Sequence, residues 1–407
     1  MRMMLAASTA IGIAGGAWAE DLEITHWWTS GGEAAAVAEF AKAFDATGNK
    51  WVDGAIAGSG NTARPIMISR ITGGDPMAAT QFNHGRQAEE LVEAGLMRPI
   101  TEVAEAEGWA NAIAAPGLLE SCTLDDELYC VPVNIHSWQW LWLSNKAYEE
   151  AGIPVPKNWA EFVASGPKLQ EAGKVPLAMG KQPWQAAGAF KVLVLSLGGP
   201  ELYTKVYDEK DSEVAAGADM IPIWQAADEM RKLAAGSNVQ EWNQATNLVI
   251  TGQAGGQIMG DWAQGEFQMA NQVAGTDYTC LPGLGDQPYL STAGDAIYFP
   301  LLSDDAKSAA QLELASVLFS SEAQLAFNAK KGSLPVRKDL DLAEANDCMR
   351  QGLDILAKGN IVADTDQLIS PDTNTQIQDL MIQFVSDMNM TPEDAQARFA
   401  EIIADAD

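Results

Sequence analysis

The sequence predicts an α/β fold, and three observations predict it. Short extended-type runs such as Leu22–Trp28 and Ala296–Phe299 alternate with stretches whose apolar residues recur every three or four positions. Glycine or proline punctuates nearly every junction. The 407 residues exceed one domain at roughly 100–200 residues each, so two or three domains are expected. No long low-complexity linker and no repeat interrupts the alternation.

The elements follow in order. Leu22-Glu-Ile-Thr-His-Trp-Trp28 reads as a strand, and Thr29-Ser-Gly-Gly as a turn. Ser30 with Glu33 three residues on has the spacing of a capping box. Val37, Phe40, Ala41 and Phe44 then trace one helical face, and Gly48 stops it. A second unit repeats the scheme: Ala79–Phe82 is strand-like, Gln87–Ala94 helical, and Gly95 ends it. Cys122 to Cys130 reads as a hairpin turning at Asp125-Asp126, and Val131–Leu143 as an extended run. Helices are expected over Trp159–Ala172, Ile223–Ala235, Ala306–Phe319 and Glu322–Lys330. Gln257–Trp262 reads as a buried strand entering a loop. Thr391-Pro-Glu-Asp is a helix start, with an N-cap, a proline at the first position and two acids at the positive dipole end.

A formal net charge of −30 argues against nucleic acid or an anionic membrane face as partner, because phosphates would be repelled over most of the surface. Arg2, the apolar Met3–Ala17 run and Ala17-Trp18-Ala19 read as a secretory signal cleaved near Ala19. That run is too short for a span, and no other apolar stretch reaches about 18 residues, so an exported, periplasmic chain is expected. Export makes the four cysteines disulfide candidates. A bridge between Cys122 and Cys130 is sterically reasonable and would leave Cys280 and Cys348 to pair over a long loop. Four cysteines allow three connectivities, and the sequence does not choose among them. His26, His84 and His136 are scattered singly and no C-x-x-C occurs, so no metal is expected.

Candidate chemistry centres on tryptophan. Trp27-Trp28 ends a strand just before a glycine turn, where ligands of open α/β sheets gather. Adjacent strand residues face opposite ways, so at most one of these rings should face a given cleft. An indole suits the C–H face of a pyranose; the plain alternative is core packing. Trp138, Trp140 and Trp142 are spaced by two, which places all three on one strand face, read as core. Glu33 either caps Ser30 or accepts charge-assisted hydrogen bonds from hydroxyls. No Gly-x-Ser-x-Gly, His-Glu-x-x-His or P-loop occurs in the mature chain, which is evidence against an enzyme.

Four separated stretches resemble the periplasmic sugar-binding proteins of ABC importers, most closely the glucose/mannose-binding group. They are His26-Trp-Trp-Thr-Ser-Gly-Gly-Glu33, Val131-Pro-Val-Asn-Ile-His136 with the Trp run after it, Gly252-Gln-Ala-Gly-Gly-Gln-Ile-Met-Gly-Asp-Trp262, and Lys331-Gly-Ser-Leu-Pro-Val-Arg337. The resemblance implies two α/β lobes and a hinge that the chain crosses three times. One lobe would hold residues 20–133 and 290–325, the other 134–289 and 326–407. It implies no cofactor, a small neutral sugar such as glucose between the lobes, ABC permease subunits as partners, and a monomer. It assigns Trp28 as the main stacking ring with Trp27 nearby, Glu33 as a hydroxyl acceptor, and Trp262 as the opposite aromatic wall. Gln81, His84, His136, Asp295 and Lys331 match polar contacts. The glucose-binding relatives often bring a C-terminal histidine; none follows His136 here, so either Asp372 of Ser370-Pro-Asp substitutes as an acceptor or that contact is absent, which leaves another hexose or a disaccharide open. The rivals are a secreted carbohydrate hydrolase or lyase, with Glu33 and Asp295 as its carboxylate pair, and a sugar receptor that signals through a chemoreceptor.

Overall fold

The computed structural model describes residues 19–343 and 345–407; all of the expected signal segment before Ala19 lies outside them. Two sheets organise the chain. The first has five strands in the order Lys50–Ala55, Asp21–His26, Ala79–Asn83, Asp295–Tyr298, Cys130–Pro132. Its first three strands are parallel, and Asp295–Tyr298 runs antiparallel between Ala79–Asn83 and Cys130–Pro132. The second has four strands in the order Tyr278–Pro282, Trp140–Ser144, Ala254–Ile258, Val175–Leu177. Helices flank both sheets, so the molecule is a two-lobed α/β protein.

Helix Gly31–Asp45 forms as the residues dictate. Ser30 Oγ accepts the Glu33 backbone N–H at 3.3 Å while Glu33 Oε2 accepts the Ser30 N–H at 3.4 Å. Such a cap typically contributes about 1 kcal/mol. The face bearing Ala36, Val37, Phe40 and Phe44 is buried, and Phe40 stacks on Phe327 of helix Ser321–Lys331 with centroids 4.2 Å apart. That helix therefore belongs with the first sheet and runs unbroken through position 326.

The extended run expected over Val131–Leu143 is two strands separated by a crossing. Cys130–Pro132 lies in the first sheet and Trp140–Ser144 in the second. Along the latter the pleat works as expected: Leu141 and Leu143 enter the second lobe's core, while Trp140 and Trp142 stack on the other face at 5.6 Å. Trp138 departs from the expected core stripe, because it precedes the strand and the period of two does not reach it.

Three crossing segments are laced together. Ile135 N–H donates to the Leu334 carbonyl at 2.7 Å, Leu334 returns the bond at 3.2 Å, and His136 N–H donates to the Ala293 carbonyl at 2.7 Å. Beside this band the lobes nearly touch: a Cβ on Gly32 would lie 2.7 Å from the backbone of Gly265. Polar bonds bridge the lobes as well, Gly32 N–H to Glu266 Oε1 (2.8 Å), Gln182 to Ser59 (2.9 Å), Asn61 to Gln378 (2.9 Å) and Asn83 to Asp366 (2.6 Å).

Of the three connectivities the sequence leaves open, the one formed pairs Cys122 with Cys130 and Cys280 with Cys348, with Cα–Cα distances of 5.2 Å and 6.0 Å. The second ties strand Tyr278–Pro282 to helix Asp347–Ala357. No helix among the described residues is long and apolar enough to cross a membrane.

Candidate ligand-binding cleft

A cavity of about 400 Å³ lies between the lobes. The first sheet aims at it: Trp27 follows Asp21–His26, Ala57 and Gly58 follow Lys50–Ala55, and Asn83 ends Ala79–Asn83. All three are carboxyl ends of parallel strands, where backbone groups and loops converge in open α/β sheets. Asp295 starts the antiparallel strand beside them, directly opposite Asn83.

The floor is one connected polar network. Asp295 accepts from Gln81 Nε2 (2.6 Å), His136 Nε2 (2.6 Å), Asn134 Nδ2 (2.8 Å) and Trp28 Nε1 (3.2 Å). The other ring nitrogen of His136 meets Asp261 Oδ1 at 2.9 Å. Burial works to lower the His136 pKa, but the carboxylates of Asp295 and Asp261 override it and hold it at about 9, so the ring is an imidazolium. Burial likewise opposes ionisation of Asp295, and His136 and Lys331 overcome it, leaving its carboxyl well below the usual range. Lys331 Nζ pairs with Glu33 at 2.7 Å and lies 3.9 Å from Asp295.

The walls are aromatic. Trp262 lines the cavity from the second lobe, edge-on to Trp138 at 4.9 Å and to His136 at 4.8 Å. Trp184 and Trp138 lie 5.5 Å apart. Lys191 sits over Trp138 at 5.3 Å and is clamped by Asp364 at 2.7 and 2.8 Å.

Of the residues singled out from the sequence, Trp27, Glu33, His136, Trp262, Asp295 and Lys331 line this cavity. Four do not. Trp28 is 1% exposed, packed against Phe327 at 5.2 Å and His26 at 5.4 Å. The strand's alternation thus turns Trp27, not Trp28, toward the cleft. Gln81 is wholly buried and works from behind, accepting from the Trp27 N–H (2.9 Å) while donating to Asp295. His84 is wholly buried, with Nδ1 at 2.8 Å from Ser121 Oγ. Asp372 is exposed in the first turn of helix Pro371–Ser386, where it accepts from Gln376. The C-terminal contribution comes instead from Asp366, Asn374 and Gln378. Sequence reading also missed Arg64, Trp138 and Trp184. Trp184, in the first turn of helix Pro183–Tyr207, and Arg64, in helix Ser59–Thr72, lie in stretches to which the sequence reading assigned no element.

Residues 28–325 match the family model of the bacterial extracellular solute-binding proteins. The chain belongs to that family. The match covers most of the chain, from the Trp27-Trp28 turn to helix Ser321–Lys331. Its relatives include proteins named probable sugar-binding periplasmic protein in Rhizobium meliloti, 37% identical over 88% of this chain and 84% of that one, and in Brucella melitensis, 37% identical over 84% and 80%. Among solved structures, the bacterial solute receptor AcbH, described as exclusively preferring β-D-galactopyranose, superposes with a TM-score of 0.78 at 21% identity over 95% of this chain and 98% of that one. A solute-binding protein from Thermotoga lettingae bound to α-D-tagatose gives 0.74 at 19% identity, over 95% and 99%. These low identities speak for the two-lobed fold alone.

The relatives are binding proteins of transporters and not enzymes. The Asp295 carboxyl agrees: a glycosidase acid needs a raised pKa, whereas Asp295 is held as an anion by its four donors. Among the described residues no group of three or more His, Cys, Asp or Glu is placed to hold a metal ion.

Proposed function

We propose that this protein is an exported receptor that closes around a neutral sugar, with a hexose ring such as glucose on the cleft floor, and delivers it to the permease of an ABC importer. One observation carries the reading: indole rings and pre-paired ionic groups face the same interlobe cavity. Stacking rings suit the apolar face of a pyranose. Hydroxyls bonding to ionised groups gain about 1.5–3 kcal/mol each once water is excluded.

Charge supports an uncharged ligand. Lys331 is matched by Glu33, Lys191 by Asp364, and His136 by Asp295 and Asp261. Three cations thus meet four carboxylates, and none of the three is left unpaired to draw an anionic ligand. Trp27 and Trp262 are the stacking rings, and Glu33, Asp295, Lys331 and His136 the hydroxyl partners.

We place the lobe boundary within the three laced segments, at about residues 133–139, 283–294 and 332–336. The last lies beyond position 326, since Phe327 packs on Phe40 of the first lobe. Export with cleavage near Ala19 and a monomeric receptor complete the proposal.

Thermal melts against glucose, mannose, galactose, xylose and arabinose test it, because a ligand that binds only the folded form raises apparent stability by mass action. A concentration-dependent rise with at least one sugar is expected. A flat response across all of them, with isothermal titration equally silent, would overturn it.

A further inference from the structure

The cavity holds more than the floor network uses. Its volume of about 400 Å³ equals about 13 waters at roughly 30 Å³ each. A hexose has a dozen heavy atoms, bonded far closer than waters pack, so one ring leaves much of that space unfilled.

The unfilled part has its own polar lining. Asp366 accepts from Asn83 Nδ2 at 2.6 Å and Asn374 Nδ2 at 3.0 Å, one amide from each lobe, which fixes its carboxylate toward the cavity. Arg64 lies over Trp27, its guanidinium carbon 5.6 Å from the ring centroid. Its hydrogen bonds are long and to neutral amides only, 3.4 Å to Asn61 and 3.5 Å to Gln87. The other cleft cations each have a carboxylate within 3 Å; among the described residues Arg64 has none within ion-pair distance. This group meets the rest of the cleft through backbone N–H groups: Trp27 N–H donates to Gln81 Oε1 at 2.9 Å and Asp366 N–H to Asp364 Oδ1 at 3.2 Å.

An arginine and an aspartate that face one cavity without touching leave a gap of a particular chemistry. A hydroxyl group fills it, accepting from the guanidinium and donating to the carboxylate. A bidentate anion would satisfy Arg64 but be opposed by Asp366, so the gap favours a neutral polyol face. Arg64 is also a planar fork that meets two adjacent hydroxyls at once.

We propose that Arg64 and Asp366, with Asn83, Asn374 and the Trp27 ring, form a second sugar subsite, and that the ligand is a disaccharide whose second unit they read. This rests on the sugar-receptor reading above, with the first unit on the floor.

Isothermal titration of the full mature protein with maltose, cellobiose, trehalose and sucrose, beside glucose, mannose and galactose, tests it. At least one disaccharide is expected to bind tenfold or more tightly than any of the free hexoses. In Arg64→Ala and in Asp366→Asn that preference ratio should collapse at least tenfold. Circular dichroism and melting of the unliganded variants establish that they fold, and Arg64→Lys, which keeps charge but loses the fork, should fall between. A hexose that outbinds every disaccharide, or a ratio unmoved by both substitutions, overturns the second subsite and leaves the hexose receptor standing. Silence toward sugars of both sizes removes the receptor reading, and this subsite with it.

Discussion

Trp28 Nε1 donates to Asp295 Oδ2 at 3.2 Å, across 267 residues of chain. The bond ties the end of the first strand to the start of the strand that returns from the second lobe. It makes Trp28 a brace beneath the cleft floor, while the neighbouring ring, Trp27, faces the cavity.

The two tryptophans should therefore separate binding from stability. Trp28→Ala empties a site packed by Phe327, His26 and Lys331, and should cost about 3–5 kcal/mol of unfolding free energy. Trp27→Ala should leave the unliganded melting temperature nearly unchanged and lower sugar affinity at least tenfold. Urea unfolding and titration calorimetry on both variants check this; the opposite pattern would restore Trp28 as the stacking ring.

Asp295→Asn removes the negative charge between His136 and Lys331 while keeping the side chain's shape. Breaking a buried ionic group from one side typically costs about 3–5 kcal/mol. The His136 pKa should also drop from about 9, because Asp295 is the foremost cause of its rise. An imidazole titration by NMR that leaves His136 where it is would mean Asp261 alone sustains it.

Two histidines shape the pH profile in opposite directions. Burial pushes His84 down to about 4, against about 6.5 unfolded. The unfolded chain thus takes up a proton first, and stability full above pH 6.5 is lost as pH falls toward 4, by about 3 kcal/mol at 1.36 kcal/mol per unit. His136, raised to about 9, contributes fully below pH 6.5 and loses that contribution as pH rises to 9. Melting temperature against pH should fall on both sides of about 6.5, and His84→Gln should flatten the acid limb alone. An unchanged acid limb would place the proton uptake elsewhere.

The disulfides should differ in worth. Cys280–Cys348 closes 68 residues and Cys122–Cys130 only 8. Loop-closure entropy then gives about 4 kcal/mol for the first and about 2.5 kcal/mol for the second. Replacing each pair by alanine and comparing denaturant midpoints decides whether that order holds.

Glu266 lies outside the cavity lining, yet its carboxylate takes the Gly32 N–H from the other lobe at 2.8 Å. Glu266→Ala should weaken sugar binding about 10- to 150-fold by destabilising the closed form, as loss of a charge-assisted bond of about 1.5–3 kcal/mol implies. Stopped-flow release should be faster by a similar factor. Unaltered release would mean that this bond does not resist opening.

Much was legible in the residues because it is local. The capping box at Ser30 and Glu33, the Phe40 and Phe44 stripe, the Cys122–Cys130 hairpin and the proline-led start of helix Pro392–Ala404 each need only neighbours within a few positions. The resemblance likewise nominated Trp27, Glu33, His136, Trp262, Asp295 and Lys331, and these six line the cavity. His84 and Asp372 misled because a polar side chain near a motif looks alike whether it is buried behind the sheet, set on a solvated first turn or aimed at the cleft.

The resemblance carried by the motif stretches implied the two lobes; local sequence determined the α/β class, the strand-end position of the cleft and the alternation that lets only one of Trp27 and Trp28 face it. The tertiary structure alone decided which of the two it is, because strand twist and the Asp295 acceptor, 267 residues away, orient the pair. It also decided that Arg64, Trp138, Trp184 and Asp366 share one cavity. Those residues come from four separate segments, and their meeting depends on how two lobes pack across laced crossings, which no short-range pattern encodes.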